Sequence, residues 1–178
     1  MQTHIKSIIE LIGEDPSREG LKETPRRVEA AYKKIFSGYT QKPEDVLTVF
    51  DSEGYDEMII CKDIEFYSMC EHHMLPFFGK ASIAYIPDKK IIGLSKLPRL
   101  IEIFARRLQN QERLTSQVAK NLMEMLKPKG VGVIIRAKHL CMMARGIEKQ
   151  SSEMISSALH GRFKTDEKTR AEFMQLVS

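Results

Sequence analysis

The stretch Ser68-Met69-Cys70-Glu71-His72-His73-Met74-Leu75-Pro76-Phe77 places a thiol, a carboxylate and two imidazoles at consecutive positions. Cys70 and His73 stand three residues apart, so a turn, or the first turn of a helix, would direct both side chains at one centre. Thiolate sulfur and imidazole nitrogen are ligands that zinc prefers in proteins. Two ligands do not hold a zinc ion, so a third has to come from elsewhere in the chain.

A second segment, residues 138–141, supplies the third candidate ligand. If this segment lies on a strand, His139 and Cys141 point to the same face, because side chains alternate along a strand. Cys70, His73 and Cys141 would then form a metal site with three protein ligands. Such a site keeps one coordination position open, which is typical of catalytic rather than structural zinc.

The remaining thiols and imidazoles also have ordinary structural interpretations. Buried cysteines often pack as small hydrophobic side chains, and adjacent histidines are common on solvated surfaces. The combination of the two segments favours a metal site, and it leaves His72 and His139 beside the metal for proton transfer. Which of them is the acid and which the base stays open. Cys61 has no partner ligand and is expected to point into the packing.

Composition places the chain among soluble globular proteins. Its 178 residues fit one domain with its own core. The net charge of +4, without long basic runs, favours small anionic ligands and does not indicate nucleic acid. Three cysteines do not indicate a disulfide framework, and neither a signal peptide nor a membrane-spanning apolar run is apparent. We therefore expect a cytoplasmic protein that binds neither nucleic acid nor membrane.

Hydrophobic periodicity predicts an α+β fold. The predicted helices span residues 3–12, 24–38, 97–108 and 111–126, and a last one follows residue 165. The predicted strands cover residues 58–67, 81–87, 131–135 and 154–163. Two helices thus lie between two pairs of strands, which favours a four-stranded antiparallel sheet with helices on one face. We expect an N-terminal helical arm over residues 1–55 and a catalytic domain over residues 56–178.

Several motifs resemble those of the GTP cyclohydrolase I family. They are Cys70-Glu71-His72-His73 with Pro76-Phe77-Phe78-Gly79, then Gly93-Leu94-Ser95-Lys96-Leu97-Pro98-Arg99, Gln111-Glu112-Arg113-Leu114-Thr115, and His139-Leu140-Cys141-Met142 running to Arg145-Gly146. The resemblance covers nearly the whole chain. It implies the tunnelling fold, in which sheets of several subunits join into a barrel. It also implies a homo-oligomer, a decamer of two stacked pentamers with active sites at subunit interfaces.

The resemblance implies a reaction as well, in which GTP and water give formate and 7,8-dihydroneopterin triphosphate. This is the first step of pterin and tetrahydrofolate biosynthesis, and Zn²⁺ is the implied cofactor. The route would be hydration at purine C8, ring opening, loss of formate, ribose rearrangement and closure to the pterin. The substrate contacts that the resemblance implies are Lys96, Arg99 and Arg145 for the triphosphate, Ser95 at a helix start, and Glu112 for guanine with Gln111 beside it.

The sequence departs from the family pattern in one strand and leaves other interpretations to exclude. Ser156-Ser157 stands where threonine is often found, which keeps a hydroxyl, and His160 stands where arginine is often found. Pterin-binding and nitrile-reducing relatives share the fold but lack this set of Cys and His residues. A zinc-stabilised binding module without activity is the alternative from another class, and a formate assay would distinguish it.

Overall fold

A five-stranded sheet organises the computed structural model, which describes residues 1–178. The strands are β1 (Val49–Asp51), β2 (Ile59–Cys70), β3 (Pro76–Ile86), β4 (Lys90–Ile92), β5 (Leu108–Gln109), β6 (Gly130–His139) and β7 (Met154–Gly161). The helices are α1 (Gln2–Leu11), α2 (Thr24–Ile35), α3 (Lys96–Ala105), α4 (Gln111–Leu126), α5 (Leu140–Met143), α6 (Arg162–Thr165) and α7 (Glu167–Val177). Short 3₁₀ turns lie at Ser37–Thr40 and Pro43–Asp45.

The four long strands form the predicted antiparallel sheet. Their order is β2-β3-β6-β7, and each neighbouring pair is antiparallel. The helices α3 and α4 lie between the two pairs in the chain, as predicted. Strand β5 extends the sheet beside β2 through a short parallel pairing of Leu108 and Gln109 with Met69 and Cys70. A strand of two residues has no recognisable periodicity, so β5 could not be predicted from the hydrophobic pattern.

The two faces of the sheet bury different helices. Ile83 and Tyr85 of β3 belong to the main core, together with buried residues of α3 and α4. The alternating residue Ala84 belongs instead to a second cluster with Phe163 and Phe173, whose rings meet edge to face at 5.2 Å. Because side chains alternate along a strand, the C-terminal helix lies on the face opposite α3 and α4. The expectation that all helices share one face was therefore wrong.

Several element boundaries differ from the sequence-based expectations. The segment 58–67 continues as one strand to Cys70, with a register shift between Cys61 and Ile64. Helix α3 ends at Ala105. Strand β7 ends at Gly161, whose φ of 56° is open to glycine, and the short helix α6 follows. Local turns of this kind are set by backbone geometry that side-chain periodicity does not encode.

The N-terminal segment packs its two helices together and then joins the rest of the chain. Gly38 contacts the C-terminal end of α3, where its N–H donates to the Arg106 carbonyl. A Cβ added at Gly38 would lie 2.2 Å from the Ile103 carbonyl oxygen, so a larger residue would clash there. Strand β1 pairs with β4 in a separate two-stranded sheet. The division at residue 55 stays a prediction. None of the helices has the length and apolar character that crossing a membrane requires.

Candidate active site

Three predicted metal ligands converge in the folded chain. The ligand atoms of Cys70, His73 and Cys141 all lie within 4.8 Å of one another. The distance from Cys70 Sγ to His73 Nδ1 is 3.7 Å. In a tetrahedral zinc site, neighbouring sulfur and nitrogen ligands are about 3.6 Å apart. The spacing and chemistry of the three side chains therefore fit a zinc ion, with room for a fourth ligand.

The hairpin between β2 and β3 carries two of these ligands. Cys70 is the last residue of β2, and His73 lies in the turn that follows. Backbone hydrogen bonds from Cys70 N to Leu75 O (2.9 Å) and from Met74 N to Cys70 O (2.8 Å) close the turn. This confirms that a turn directs the Cys-x-x-His pair at one centre.

The third ligand arrives differently from the expectation. Strand β6 ends at His139, which pairs with Phe77, and Cys141 lies in the short helix α5. The expectation that His139 and Cys141 share one strand face was therefore wrong. The next residue of β3 is Pro76, which has no N–H with which to extend the pairing. The helical turn then brings the Cys141 thiol to Cys70, and burial, followed by the neighbouring Cys70, raises the pKa of Cys141.

His139 is held on two sides. Its ring stacks on Phe77 with centroids 4.7 Å apart and planes 1° from parallel. Its Nε2 lies 2.8 Å from Oε1 of Gln111. Burial lowers the pKa of His139, and the charge of Glu112 acts weakly in the opposite direction. The imidazole is therefore fixed in direction, and its burial favours the neutral form.

His72 has a much more open environment. Its side chain is 65% exposed, and its Nδ1 lies 3.8 Å from Cys70 Sγ. On its other side, Nε2 lies 3.7 Å from Glu71 Oε1. His72 is not part of the converging metal group. The structure thus places the exposed His72 against Cys70 of the metal group, and it holds His139 at the end of β6, two residues before Cys141.

Glu71 links the hairpin turn to the start of α4. Its carboxylate accepts hydrogen bonds from the Arg113 guanidinium and from Asn110 Nδ2 (3.0 Å). Arg113 Nε in turn donates to Gln109 Oε1 (2.9 Å), and Gln109 Nε2 donates to Gln117 Oε1 (2.8 Å). The Arg113 hydrogen bond is the main cause that lowers the pKa of Glu71. Sequence reasoning missed these contacts, since the partners are about 40 residues from the motif.

The predicted substrate contacts lie at helix ends and on the surface. Ser95 precedes the first residue of α3, and Lys96 and Arg99 stand one turn apart on that helix. Arg145 is exposed and donates to the Cys141 carbonyl at 3.2 Å. None of these three cations forms an ion pair within the chain. Their charge is therefore available to an anion.

The two residues expected at the guanine base are adjacent but differ in exposure. Glu112 is exposed in the first turn of α4. Gln111 is only 1% exposed. Its side-chain amide makes contacts with β6, β7 and His139. That Gln111 contacts the substrate stays a prediction.

Fold and site together define a class of protein, an α+β protein with a converging Cys-His-Cys group that could bind a metal ion. The family model described as GTP cyclohydrolase I matches residues 1–178. The chain belongs to the GTP cyclohydrolase I family, and it is an enzyme of that family with the tunnelling fold. The alternative of an inactive zinc-stabilised module is not favoured.

The two sequence relatives named next agree with this membership. GTP cyclohydrolase 1 of Wolinella succinogenes is 58% identical over 175 residues, covering 98% of this chain and 94% of that protein. GTP cyclohydrolase 1 of Leptospira biflexa is 55% identical over 179 residues, covering 99% and 97%. A crystal structure of the archaeosine synthase QueF-Like in the apo form matches with a TM-score of 0.43 and 14% identity, covering 65% of this chain and 94% of that one.

Proposed function

We propose that the chain converts GTP and water to formate and 7,8-dihydroneopterin triphosphate, with zinc held by Cys70, His73 and Cys141. The observation that carries this proposal is the convergence of those ligand atoms from two separate segments. A zinc ion with an open position supplies Lewis acidity at neutral pH. The product would enter pterin and tetrahydrofolate biosynthesis.

The two spare histidines are proposed to move the protons of the reaction. His139 is held by Phe77 and Gln111, and burial lowers its pKa, which suits a base that accepts a proton in a fixed direction. His72 is exposed and lies close to the Glu71 carboxylate, which suits a group that exchanges protons with solvent. His72 directly precedes His73 and His139 stands two residues before Cys141, which supports the proposal that both act beside the metal, where the purine carbon would have to react.

The remaining predicted contacts are proposed to hold the two ends of GTP. Lys96, Arg99 and Arg145 would bind the triphosphate, because their charges are unpaired within the chain and cationic donors suit phosphate oxygens. Ser95, at the N-terminus of α3, adds the positive end of a helix. The carboxylate of Glu112 would accept hydrogen bonds from N1 and the exocyclic amine of guanine, with Gln111 adjacent to it.

A homo-oligomer is proposed, a decamer of two stacked pentamers with active sites at subunit interfaces. The sheet ends in β7 on one side, and most of β2 has no strand beyond it on the other. Unpaired edges and exposed apolar side chains favour pairing with other chains. Leu11 and Ile12 of the N-terminal segment, for example, are 85% and 72% exposed. Native mass spectrometry would measure the number of subunits.

Free thiols at the proposed metal site favour a reducing compartment, so a cytoplasmic location is proposed. The experiment that tests the function is a formate assay with GTP, combined with metal analysis of the same sample. We expect formate release that depends on zinc, at about one zinc per chain. Stoichiometric zinc without formate release would contradict the proposed reaction and support a binding module.

A further inference from the structure

The side chain of Gln111 is buried and fully occupied by contacts within the chain. Its Nε2 lies 3.0 Å from each of three possible acceptors, the carbonyl oxygens of Ile135 and Met154 and the hydroxyl of Ser156. Its Oε1 lies 2.8 Å from Nε2 of His139. A primary amide has two hydrogens and one oxygen to share. Both ends of the amide are therefore engaged within the chain, and the residue is only 1% exposed.

These neighbours determine which way the amide points. Two of them are backbone carbonyls, which accept hydrogen bonds and cannot donate them. Rotating the amide by 180° would place Oε1 against both carbonyl oxygens, so that acceptors would face acceptors at hydrogen-bond distance. The NH₂ group of Gln111 therefore faces Ile135 and Met154, and Oε1 faces His139.

The direction of the amide in turn determines where His139 carries its hydrogen. Because Oε1 of Gln111 can only accept, Nε2 of the imidazole has to be the N–H donor. The other ring nitrogen, Nδ1, then holds the lone pair in the neutral ring. Stacking on Phe77 fixes the ring plane, and the Gln111 contact fixes the rotation within it.

We propose that Gln111 is a positioning residue, which holds the His139 ring in one orientation with its hydrogen on Nε2 and makes no contact with the substrate. This role replaces the guanine contact predicted from the sequence. It rests on the proposed catalytic function of His139. Proton transfer at His139 would then run through Nδ1 alone.

Two hydroxyl groups support Gln111 from behind. The Thr115 hydroxyl donates to the backbone carbonyl oxygen of Gln111 at 2.6 Å. The Thr115 hydroxyl hydrogen is thereby used, so Ser156 donates to Thr115 Oγ1 at 2.7 Å and offers its own oxygen to the Gln111 amide. Each hydroxyl hydrogen of Thr115 and Ser156 thus has one acceptor. The orientation of His139 therefore depends on residues of helix α4 and strand β7.

Histidine-labelled protein gives a direct measurement that needs no activity. Long-range proton–nitrogen NMR correlations distinguish a ring protonated at Nε2 from one protonated at Nδ1, and His139→Gln assigns the signals. In the wild-type chain we expect the hydrogen of His139 on Nε2, with or without zinc. A hydrogen on Nδ1 would overturn the proposal, even if no variant of Gln111 folds.

A double-mutant cycle separates positioning from substrate contact. Gln111→Leu should lower kcat by about 10- to 100-fold, the range for hydrogen-bond partners that orient active-site imidazoles. GTP affinity measured by calorimetry should stay within about twofold. Added to His139→Ala, the same change should cost almost nothing more, because both substitutions remove one interaction. Independent, multiplying losses, or a GTP affinity that falls with Gln111→Leu, would show a substrate contact instead.

Two control variants sharpen the result. Gln117→Leu makes the same chemical change on the same helix without touching His139, and it should leave the His139 signals unchanged. Ser156→Ala removes one acceptor of the amide but keeps both carbonyls, so the hydrogen should stay on Nε2. Loss of the Nε2 signal in Gln117→Leu would contradict a specific role for Gln111. If the wild type releases no formate, the NMR result still decides the orientation.

Discussion

Two polar networks start from the same short segment, residues 109–113. One contacts His139 and the other contacts the hairpin turn that carries His73, and the two differ in charge and burial. The Gln111 network, formed by Gln111, Ser156 and Thr115, is uncharged and mostly buried, and it holds His139. The Glu71 network, formed by Glu71, Arg113, Asn110, Gln109 and Gln117, includes an ion pair and holds the hairpin turn. In that ion pair the Arg113 side chain is 41% exposed and that of Glu71 is 27% exposed.

The difference indicates which side of the site tolerates change. Water and salt screen exposed charges, so a half-exposed ion pair contributes little and varies with ionic strength. Hydrogen bonds among buried neutral groups are strongly directional, and leaving one partner unpaired is costly. We therefore expect catalysis to depend more on the His139 side than on the contacts beneath the turn.

The largest expected effect comes from breaking the link between the two sides. Cys141 is the one proposed metal ligand on the His139 side, while the proposed ligands Cys70 and His73 lie at the hairpin turn. Cys141→Ala should abolish both zinc binding and turnover, because two ligands do not retain the ion. Metal analysis and a formate assay on the purified variant measure this.

The third cysteine provides a matched control for that substitution. Cys61 is half-buried and packs against the main core outside the metal group. Cys61→Ala should keep zinc and activity. Full zinc occupancy in Cys141→Ala would show that Cys141 is not a metal ligand. The metal would then not join the His139 side to the hairpin turn.

The next effect concerns the two imidazoles, one from each side. His72→Ala and His139→Ala should each keep zinc and lose about 10²- to 10⁴-fold in kcat, the usual contribution of a general acid or base. Rates of formate release, together with metal content, measure both quantities. If either variant lost its metal, that histidine would be a ligand and the comparison of a fixed and an exposed proton carrier would fail.

The sequence predicted that Cys70, His73 and Cys141 come together, as they do in the structure, but it did not predict the side chains that support them. Spacing alone was enough for Cys70 and His73, because a turn of four residues leaves few ways to arrange them. Cys141 was expected on a strand. The pairing of β6 with β3 stops at His139 instead, because the next residue of β3 is Pro76, which has no N–H to donate. Local spacing therefore predicted which side chains come together. The backbone conformation that carries each of them depends on strand pairing between distant parts of the chain.

Both polar networks were beyond sequence reasoning for a similar reason. Glu71 lies inside the recognised motif, but its partner Arg113 is 42 positions away. Gln111 belongs to a recognised motif too, and its burial against strands β6 and β7 depends on the packed sheet. Periodicity predicted most of the helices and strands, since each is a local pattern. Contacts between side chains of separate elements require the fold first.

A smaller effect is expected at Glu112, which lies between the two networks on α4. Glu112→Gln should weaken GTP binding by about 10- to 100-fold, because a hydrogen bond to a charged group is stronger than one to a neutral amide. Zinc content and subunit number should not change. Calorimetry with zinc-loaded protein measures the affinity, and Glu124→Gln on the exposed part of the same helix is the control. Equal affinities would remove Glu112 from the site.

The smallest effect is expected at the Glu71 network. Glu71→Gln and Arg113→Met should each keep zinc and lower turnover by less than about fivefold, because an exposed ion pair is weak. The loss should shrink as salt is added, since screening weakens the wild-type pair as well. A larger loss of turnover that does not change with salt would mean that Glu71, like Gln111, is a positioning residue.

The acid dependence of unfolding gives an independent test of the same ion pair. Arg113 lowers the pKa of Glu71 in the folded chain, so the folded state favours the carboxylate. The resulting stabilisation is present above the ordinary glutamate pKa of about 4.3 and is lost as the pH falls through the lower folded value. The difference in Tm between wild type and Glu71→Gln should therefore be constant near neutral pH and shrink in acid. Glu14→Gln, which breaks the exposed pair with Arg18 far from the site, controls for charge removal alone. A Tm difference that persists below the folded pKa would mean that Glu71 acts through packing, and the contrast between a charged and a neutral network would lose its physical basis.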